Sequence, residues 1–268
     1  MSPISSLSAA AQPLVLRSDA AGVATLTLNR PAQRNALSMS LMDALGKALG
    51  QVASDPAIRV VVLAGAGPAF CSGHDLKELR ASPSRAGYED TFRLCSALML
   101  QVTRLPKPVI ARVHGVASAA GCQLVASCDL VVASTEARFA TPGVNIGLFC
   151  STPMVALSRA VGRKQAMEML LTGDLIDAET AVLFGLVNRV APPEELDEQV
   201  MGLAQQIASK SPHVLKIGKE AFYRQVELPL EEAYAYTAEV MTENMMAEDA
   251  AEGIDAFIQK RQPVWRNC

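Results

Sequence analysis

Residues 114–151 read HGVASAAGCQLVASCDLVVASTEARFATPGVNIGLFCS, and this stretch decides the fold. It follows a strand-like apolar run at 108–113, opens with small residues at 117–121, and then becomes helical in period, with Leu124 and Val125 on one face. Small residues at such a junction let a ligand approach the backbone, and the first turn of a helix offers unpaired N–H groups and a partial positive charge. The stretch therefore fits an oxyanion-binding turn, and it fits equally well a place where a strand and a helix pack closely.

Strand patterns alternate with helical patterns through the first half of the chain. The strand patterns lie at 23–28, 58–64, 108–113 and 130–133. This alternation predicts an α/β fold with parallel crossover connections. A second turn with small residues, at 71–76, also runs into a helix, and two such turns brought together would aim two N–H groups at one oxygen. The polar residues 81–90 include Pro and Gly and predict a mobile loop.

From residue 153 onward almost every segment has a helical pattern. The predicted helices are 153–161, 164–172, 177–184, 195–209, 212–226, 229–248 and 250–261. Before the core, the small and polar residues 1–12 predict a disordered tail. The sequence therefore divides into this tail, an α/β core at 13–200 and a helical C-terminal region at 201–268.

Composition disfavours several classes of protein. The 268 residues carry a net charge of −3 and no evident basic cluster, which argues against nucleic acid or an anionic membrane as the main partner. No apolar run reaches the ~18 residues that a membrane span needs. Six cysteines without a C-x-x-C pair and three scattered histidines form no metal-binding pattern. A reducing compartment fits best: the cytoplasm, or an organelle matrix in a eukaryote.

Ten short segments, in one order along nearly the whole chain, resemble the crotonase or enoyl-CoA hydratase/isomerase family. They are TLNRP at 27–31, NAL at 35–37, FCSGHDLKEL at 70–79, HGVA at 114–117, GCQL at 121–124, CDL at 128–130, FATP at 139–142, LTG at 171–173, GLV at 185–187 and FIQKR at 257–261. The string at 119–129 is most similar to one subgroup of that family. The resemblance implies an α/β crotonase fold (ClpP/crotonase-like), a spiral of ββα units with a helical C-terminal trimerisation region. It also implies a homotrimer or a dimer of trimers.

The same resemblance implies an acyl-CoA or enoyl-CoA thioester as the ligand. Coenzyme A then arrives as part of the substrate, and no tightly bound cofactor or metal is expected. In the family, two backbone N–H groups hold the thioester oxygen, and by motif position these fall on His74 and Ala120. Each such donor is typically worth ~3–4 kcal/mol to a transition state.

Positions for the rest of coenzyme A follow from the resemblance as well. The loop after the Arg-Pro pair and the backbone after the second turn line the nucleotide and pantetheine in the family. The matching residues here are Gln33, Arg34, Ser72, His74, Asp75 and Leu76. The hydratase pattern has a lysine just after its Arg-Pro, where this chain has Ala32, so Arg34 is the candidate phosphate partner. Phe257 and Lys260 match positions that reach the adenine and phosphates, usually from a neighbouring subunit; the alternative is an exposed helix end.

One departure from the family concerns its two hydratase glutamates. Their positions are occupied here by Gln123 and Gly143. Hydration needs one carboxylate to activate water and another to deliver a proton, and neither an amide nor a glycine does either at neutral pH. Gly143 is expected to have a positive φ or to face a space too tight for a side chain. The double loss argues against efficient hydratase chemistry and leaves acyl-CoA binding untouched.

Three functions stay open on these residues. The first is an acyl-CoA-binding enzyme of fatty-acid metabolism that acts through a thioester enolate, by isomerisation, decarboxylation or hydrolysis. The second is a non-catalytic acyl-CoA binder or regulator. The third is a true hydratase with a rearranged acid, Asp75 or Glu78. The His74 side chain either bonds to nearby backbone or contacts the substrate, and its titration near neutrality keeps the catalytic role open.

Overall fold

The computed structural model describes residues 12–266, which contain ten strands and eleven helices. The strands are β1 (Val15–Ala20), β2 (Val23–Leu28), β3 (Val60–Gly65), β4 (Ala69–Cys71), β5 (Val109–Val113), β6 (Val116–Ser118), β7 (Leu130–Ser134), β8 (Arg138–Ala140), β9 (Ile176–Asp177) and β10 (Arg189–Ala191). The helices are α1 (Met39–Ser54), α2 (Leu76–Ala81), α3 (Arg85–Arg104), α4 (Ala120–Ala126), α5 (Pro153–Ala160), α6 (Arg163–Thr172), α7 (Ala178–Phe184), α8 (Leu196–Ala208), α9 (Pro212–Gln225), α10 (Leu230–Met245) and α11 (Glu248–Ile258). The tail predicted at 1–12 lies almost wholly outside the described residues.

The strands form two sheets through a repeated ββα unit. The larger sheet has the order β1-β2-β3-β5-β7-β10, and the smaller has the order β4-β6-β8-β9. Each of the successive pairs β3–β4, β5–β6 and β7–β8 places one strand in each sheet before the chain enters a helix. The α/β fold built from ββα units is thereby confirmed.

The larger sheet is buried on both faces at β3, as the apolar pattern of that strand predicts. Val60 and Val62 face α8, where they cluster with Leu203. Val61 and Leu63 face the opposite cluster, which includes residues of α1 and α3. The predicted division of the chain at residue 200 falls inside α8 and stays a prediction.

The smaller sheet sets up the functional site. Its strands β4, β6 and β8 are parallel neighbours, with Cys71 opposite Ala117 and Ser118 opposite Ala140. The chain leaves these strands at one common edge, into the turns that lead to α2, to α4 and to a 3₁₀ turn at Pro142–Ile146. Adjacent strands lie about 4.8 Å apart, so the three turns are close neighbours.

The loop predicted at 81–90 is wrong for most of its length, because α3 already begins at Arg85. The Ser84 side chain accepts a hydrogen bond from the Gly87 N–H and so caps the helix, which outweighs the poor helix propensity of that glycine. An ion pair between Arg85 and Glu89, one helical turn apart, adds a little further support. The predicted helices from 153 onward are confirmed within three residues at each end.

A polar cluster ties the C-terminal helices to the core. Lys219 of α9 forms an ion pair of 2.7 Å with Asp129, whose carboxylate also accepts hydrogen bonds from the Val109 N–H and the Tyr223 hydroxyl. The Lys219 side chain is 8% exposed, and its ammonium group also donates to two backbone carbonyls. A buried pair with its hydrogen bonds satisfied fixes where α9 docks, rather than adding much net stability.

Residues 261–266 fold back along α11. Arg261 Nη2 lies 2.8 Å from Glu252 Oε2, and the Val264 N–H donates to the same carboxylate. The Trp265 indole donates to the carbonyl of Ser209 at the end of α8. The chain contains one tryptophan, so its fluorescence reports on this docking.

Candidate functional site

The turns after β4 and β6 lie in direct contact. Gly73 has a φ of +97°, which favours glycine, and a Cβ atom there would lie 3.0 Å from the Cβ of Ala119 and 3.5 Å from the nitrogen of Ala120. A Cβ on Gly121 would lie 2.1 Å from the carbonyl oxygen of Cys71. Both glycines are therefore required by the close approach of the two turns.

The turn into α4 carries backbone strain. Ala119 has φ 50° and ψ −116°, a conformation that costs an L-residue about 1–3 kcal/mol. Its N–H donates to the carbonyl of Ala140 in β8, which holds the turn in place. Ala120 then begins α4, where first-turn N–H groups have no acceptor within the helix.

A backbone network anchors the other turn. The Leu37 N–H donates to the Gly73 carbonyl, and the Asp75 N–H donates to the Leu37 carbonyl. These two bonds bracket His74, whose own N–H makes no hydrogen bond to another described residue. The N–H groups of His74 and of Ala120, the first residue of α4, thus lie in adjoining turns.

The loop that carries Gln33 and Arg34 joins this turn directly. The Ser72 N–H donates to the Arg34 carbonyl over 3.0 Å, and Arg34 adopts a left-handed φ of 49°. Both side chains are exposed, as is that of Leu76. The structure therefore brings together the predicted coenzyme A positions Gln33, Arg34, Ser72, Asp75 and Leu76.

The two candidate rearranged acids have protein partners. Asp75 caps α2 and forms an ion pair of 3.0 Å with Arg30. Partial burial opposes its ionisation, but the Glu78 N–H and Arg30 together hold the pKa of Asp75 below its usual value. The carboxylate of Glu78 accepts a hydrogen bond from the Met39 N–H at the start of α1. Both acids therefore have structural roles.

The positions of the hydratase glutamates are enclosed. Gln123 is 4% exposed, and the Cys95 thiol points at its Oε1 with Sγ 3.9 Å away. Of the two alternatives expected for Gly143, a positive φ is not observed. The expected tightness is confirmed, because a Cβ there would lie 3.0 Å from both the Cys150 sulfur and the Leu148 carbonyl oxygen. Burial raises the pKa of the Cys150 thiol, so this side chain is a neutral neighbour.

Two polar side chains at the site have buried atoms without a hydrogen-bond partner among the described residues. They are Nε2 of His74 and the hydroxyl of Thr141, the residue that follows β8. The Nε2 of His74 therefore makes no bond to nearby backbone in the described residues. Burial lowers the pKa of His74, which favours the neutral imidazole. The Nε2 of His114 lies 2.8 Å from the carbonyl of Gly67, whereas its Nδ1 is also buried without a hydrogen-bond partner among the described residues.

Phe257 and Lys260 lie at the far end of the chain. Phe257 is 85% exposed in the last turn of α11, and Lys260 follows that helix with a φ of 55°. Because α11 packs on α9 and α10, both residues belong to the C-terminal helical region of their own chain and not to the two turns.

Sequence reasoning missed the contribution of α3. Phe92 contacts the His74 ring edge-on, with centroids 5.5 Å apart, and Cys95 faces Gln123. The three-residue spacing of Phe92 and Cys95 puts both on one helix face, which was the available signal. Thr141 was visible only as part of a motif.

Within residues 12–266, no group of three or more His, Cys, Asp or Glu side chains is arranged to hold a metal ion. In the same range, no helix is long and apolar enough to cross a membrane.

Comparisons with known proteins identify the family. The enoyl-CoA hydratase/isomerase family model matches residues 18–267. The mitochondrial enoyl-CoA hydratase domain-containing protein 3 of Xenopus laevis is 50% identical over 253 residues, 94% of this chain and 86% of that protein. Its human counterpart is 48% identical over 91% of this chain and 80% of that protein. These are the subgroup that the string at 119–129 resembles.

Solved structures give the same result. The crystal structure of an enoyl-CoA hydratase from Mycobacterium smegmatis has a TM-score of 0.93 at 55% identity, covering 95% of this chain and 99% of that one. The human domain-containing protein 3 has a TM-score of 0.91 at 46% identity, covering 95% of this chain and all of that one. The chain therefore belongs to the enoyl-CoA hydratase/isomerase family, also called the crotonase family.

Proposed function

We propose that the chain binds an acyl-CoA thioester and polarises its carbonyl with the N–H groups of His74 and Ala120. The observation that carries this proposal is the contact between the two turns, which brings the residue after Gly73 next to the first residue of α4. Any reaction then proceeds through a thioester enolate, by isomerisation, decarboxylation or hydrolysis within fatty-acid metabolism. The names of the relatives support the choice of ligand.

The absence of carboxylates at positions 123 and 143 separates this function from classical hydration. It also favours the second candidate, an acyl-CoA binder or regulator without turnover. A turnover screen over a panel of acyl-CoA esters, run beside binding measurements, separates the two. A true hydratase that uses Asp75 or Glu78 is disfavoured by the protein contacts that both carboxylates already make.

Titration calorimetry with butanoyl-CoA tests the binding site. Arg34→Ala should weaken binding by about fivefold, the value of ~1 kcal/mol for an exposed charge-assisted contact. Arg104→Ala is the matched control, since it removes an exposed arginine at the C-terminal end of α3, outside the proposed site, and should leave affinity unchanged. Absence of binding for any acyl-CoA ester at millimolar concentration would reject the proposal.

A homotrimer or a dimer of trimers is the proposed assembly. Large apolar side chains are exposed along the C-terminal helices: Leu230, Tyr234, Met241, Met245, Met246, Phe257 and Ile258. Such a surface is more apolar than a monomer needs, and association would bury it. Through the same contacts, Phe257 and Lys260 would reach the coenzyme A of a neighbouring subunit. Sedimentation showing only a 28.4 kDa species at micromolar protein would refute the assembly.

The location follows the chemistry of the thiols. Five cysteines are buried and unpaired in the described residues, which suits a reducing compartment. We propose the cytoplasm or an organelle matrix, and the mitochondrial relatives make the matrix the natural choice in a eukaryote.

A further inference from the structure

His74 places a buried, unsatisfied imidazole nitrogen at the proposed site. Its Nε2 has no hydrogen-bond partner among the described residues, and its ring stands at 80° to the ring of Phe92. A buried polar atom left unpaired costs about 1–3 kcal/mol, so a partner from outside the chain would remove a standing penalty. A bound ligand at the two turns is the nearest candidate.

The His74 imidazole lies on the side of the turns that faces helix α3. Phe92 contacts the His74 ring, and Cys95, three residues along the same helix face, points at Gln123. The imidazole and the Gln123 carboxamide therefore face α3 at sites about one helical turn apart. Gln123 stands where the family's hydratases have one of their glutamates. His74 thus lies beside the position from which that glutamate would act.

The other groups around the imidazole are poor proton acceptors. The amide of Gln123 does not titrate, and burial raises the pKa of the Cys95 thiol to about 12. Asp75, the next residue in the chain, is committed to Arg30 and to the start of α2. Burial lowers the pKa of His74, with no contribution from a charged neighbour, which favours the neutral imidazole, a form that keeps one ring nitrogen unprotonated.

We propose that His74 is the proton-transfer residue of this site: its Nε2 removes and returns a proton at the α-carbon of the bound acyl thioester. As Nε2 takes the proton, the C–H electron pair forms a double bond between the α-carbon and the carbonyl carbon. The negative charge moves to the thioester oxygen, which the N–H groups of His74 and Ala120 hold. Return of a proton from the imidazolium restores the thioester. This inference rests on the acyl-CoA site proposed above.

Exchange of the α-protons of butanoyl-CoA in D₂O, followed by mass spectrometry, tests the proposal without knowledge of the natural reaction. The wild-type protein should catalyse exchange, and His74→Gln should slow it by at least ~100-fold, the low end of what a positioned base supplies. Butanoyl-CoA affinity should change by less than about threefold, because the backbone donors stay in place. His114→Gln is the matched control, since that ring bonds to the Gly67 carbonyl, and it should exchange like the wild type.

Two further readouts separate a catalytic role from a structural one. The wild-type exchange rate should fall as the pH drops below the ordinary imidazole value of 6.5, and that dependence should vanish in His74→Gln. In the wild type, imidazole ¹⁵N spectra should show a shift of one of the three histidines on addition of butanoyl-CoA. This second measurement needs no variant and so does not depend on His74→Gln folding.

The outcomes distinguish this inference from the proposed function. If butanoyl-CoA binds but the wild type gives no exchange, or if His74→Gln exchanges as fast as the wild type, His74 is not the base and the binding site stands. Unchanged imidazole spectra with saturating butanoyl-CoA would overturn the inference in the same way. If no acyl-CoA binds, the proposed function itself fails.

Discussion

Restoring both hydratase carboxylates, by Gln123→Glu and Gly143→Glu, should raise the rate of crotonyl-CoA hydration above that of the wild type. The unmodified protein should hydrate this ester several decades more slowly than an ordinary hydratase, because each positioned acid or base typically contributes ~10²–10⁴ in rate. The two losses are not additive, so restoring one carboxylate alone is expected to raise the rate by less than the factor typical of one acid or base.

The structure shows that the two replacements differ in difficulty. Gln123→Glu is nearly isosteric in its buried setting beside Cys95. Gly143→Glu is crowded, because its Cβ would lie 3.0 Å from the Cys150 sulfur and 3.2 Å from the Cys150 nitrogen. Adding Cys150→Ala removes the sulfur and leaves only backbone that must move by a few tenths of an ångström. The triple variant is therefore the one to build, with an expected gain of at least ~10-fold.

The assay is the loss of enoyl absorbance with crotonyl-CoA. The matched control carries Gln123→Glu, Gly143→Ala and Cys150→Ala, and so has the same steric change without the second carboxylate. Thermal melting and butanoyl-CoA calorimetry establish that each variant folds and binds. A folded, binding-competent triple variant with no gain over the control would refute the reasoning. So would brisk hydration by the wild type that Gln123→Ala leaves unchanged.

Two further predictions concern stability. Lys219→Met should lower the free energy of unfolding in urea by about 3–5 kcal/mol, because it leaves the Asp129 carboxylate without its cation, and adding Asp129→Asn should recover part of the loss. Acid should release the C-terminal residues 261–266 from α11. The Arg261 side chain and the Val264 N–H lower the pKa of Glu252 from 4.5 to about 2. The stability that these contacts add is therefore full above pH 4.5 and is lost as the pH falls through about 2. Trp265 fluorescence should follow that release, and Glu252→Gln should remove the pH dependence.

Local patterns were enough to predict the turns of the site and most of the elements around them. The β3 run is apolar at every position because both faces are covered, and the small residues at 117–121 mark a turn that must touch another. The edge strand β1 was not predicted, because it is largely exposed and has no alternation of apolar residues. The start of α3 was wrongly predicted as a loop, because the cap at Ser84 and the ion pair one turn apart outweigh the Pro and Gly in that segment.

The setting of His74 depends on a longer-range feature, the register of α3 across the site. Nothing near residue 74 in the sequence says that Phe92 will meet its ring, or that Cys95 will meet Gln123. The proposed oxyanion donors are different in kind, because they are main-chain atoms set by Gly73 and by the strained turn at Ala119. Side chains at 123 and 143 can change without altering those turns. Under the proposed function, the scaffold would therefore keep the backbone donors for the thioester while the group that moves the proton is replaced.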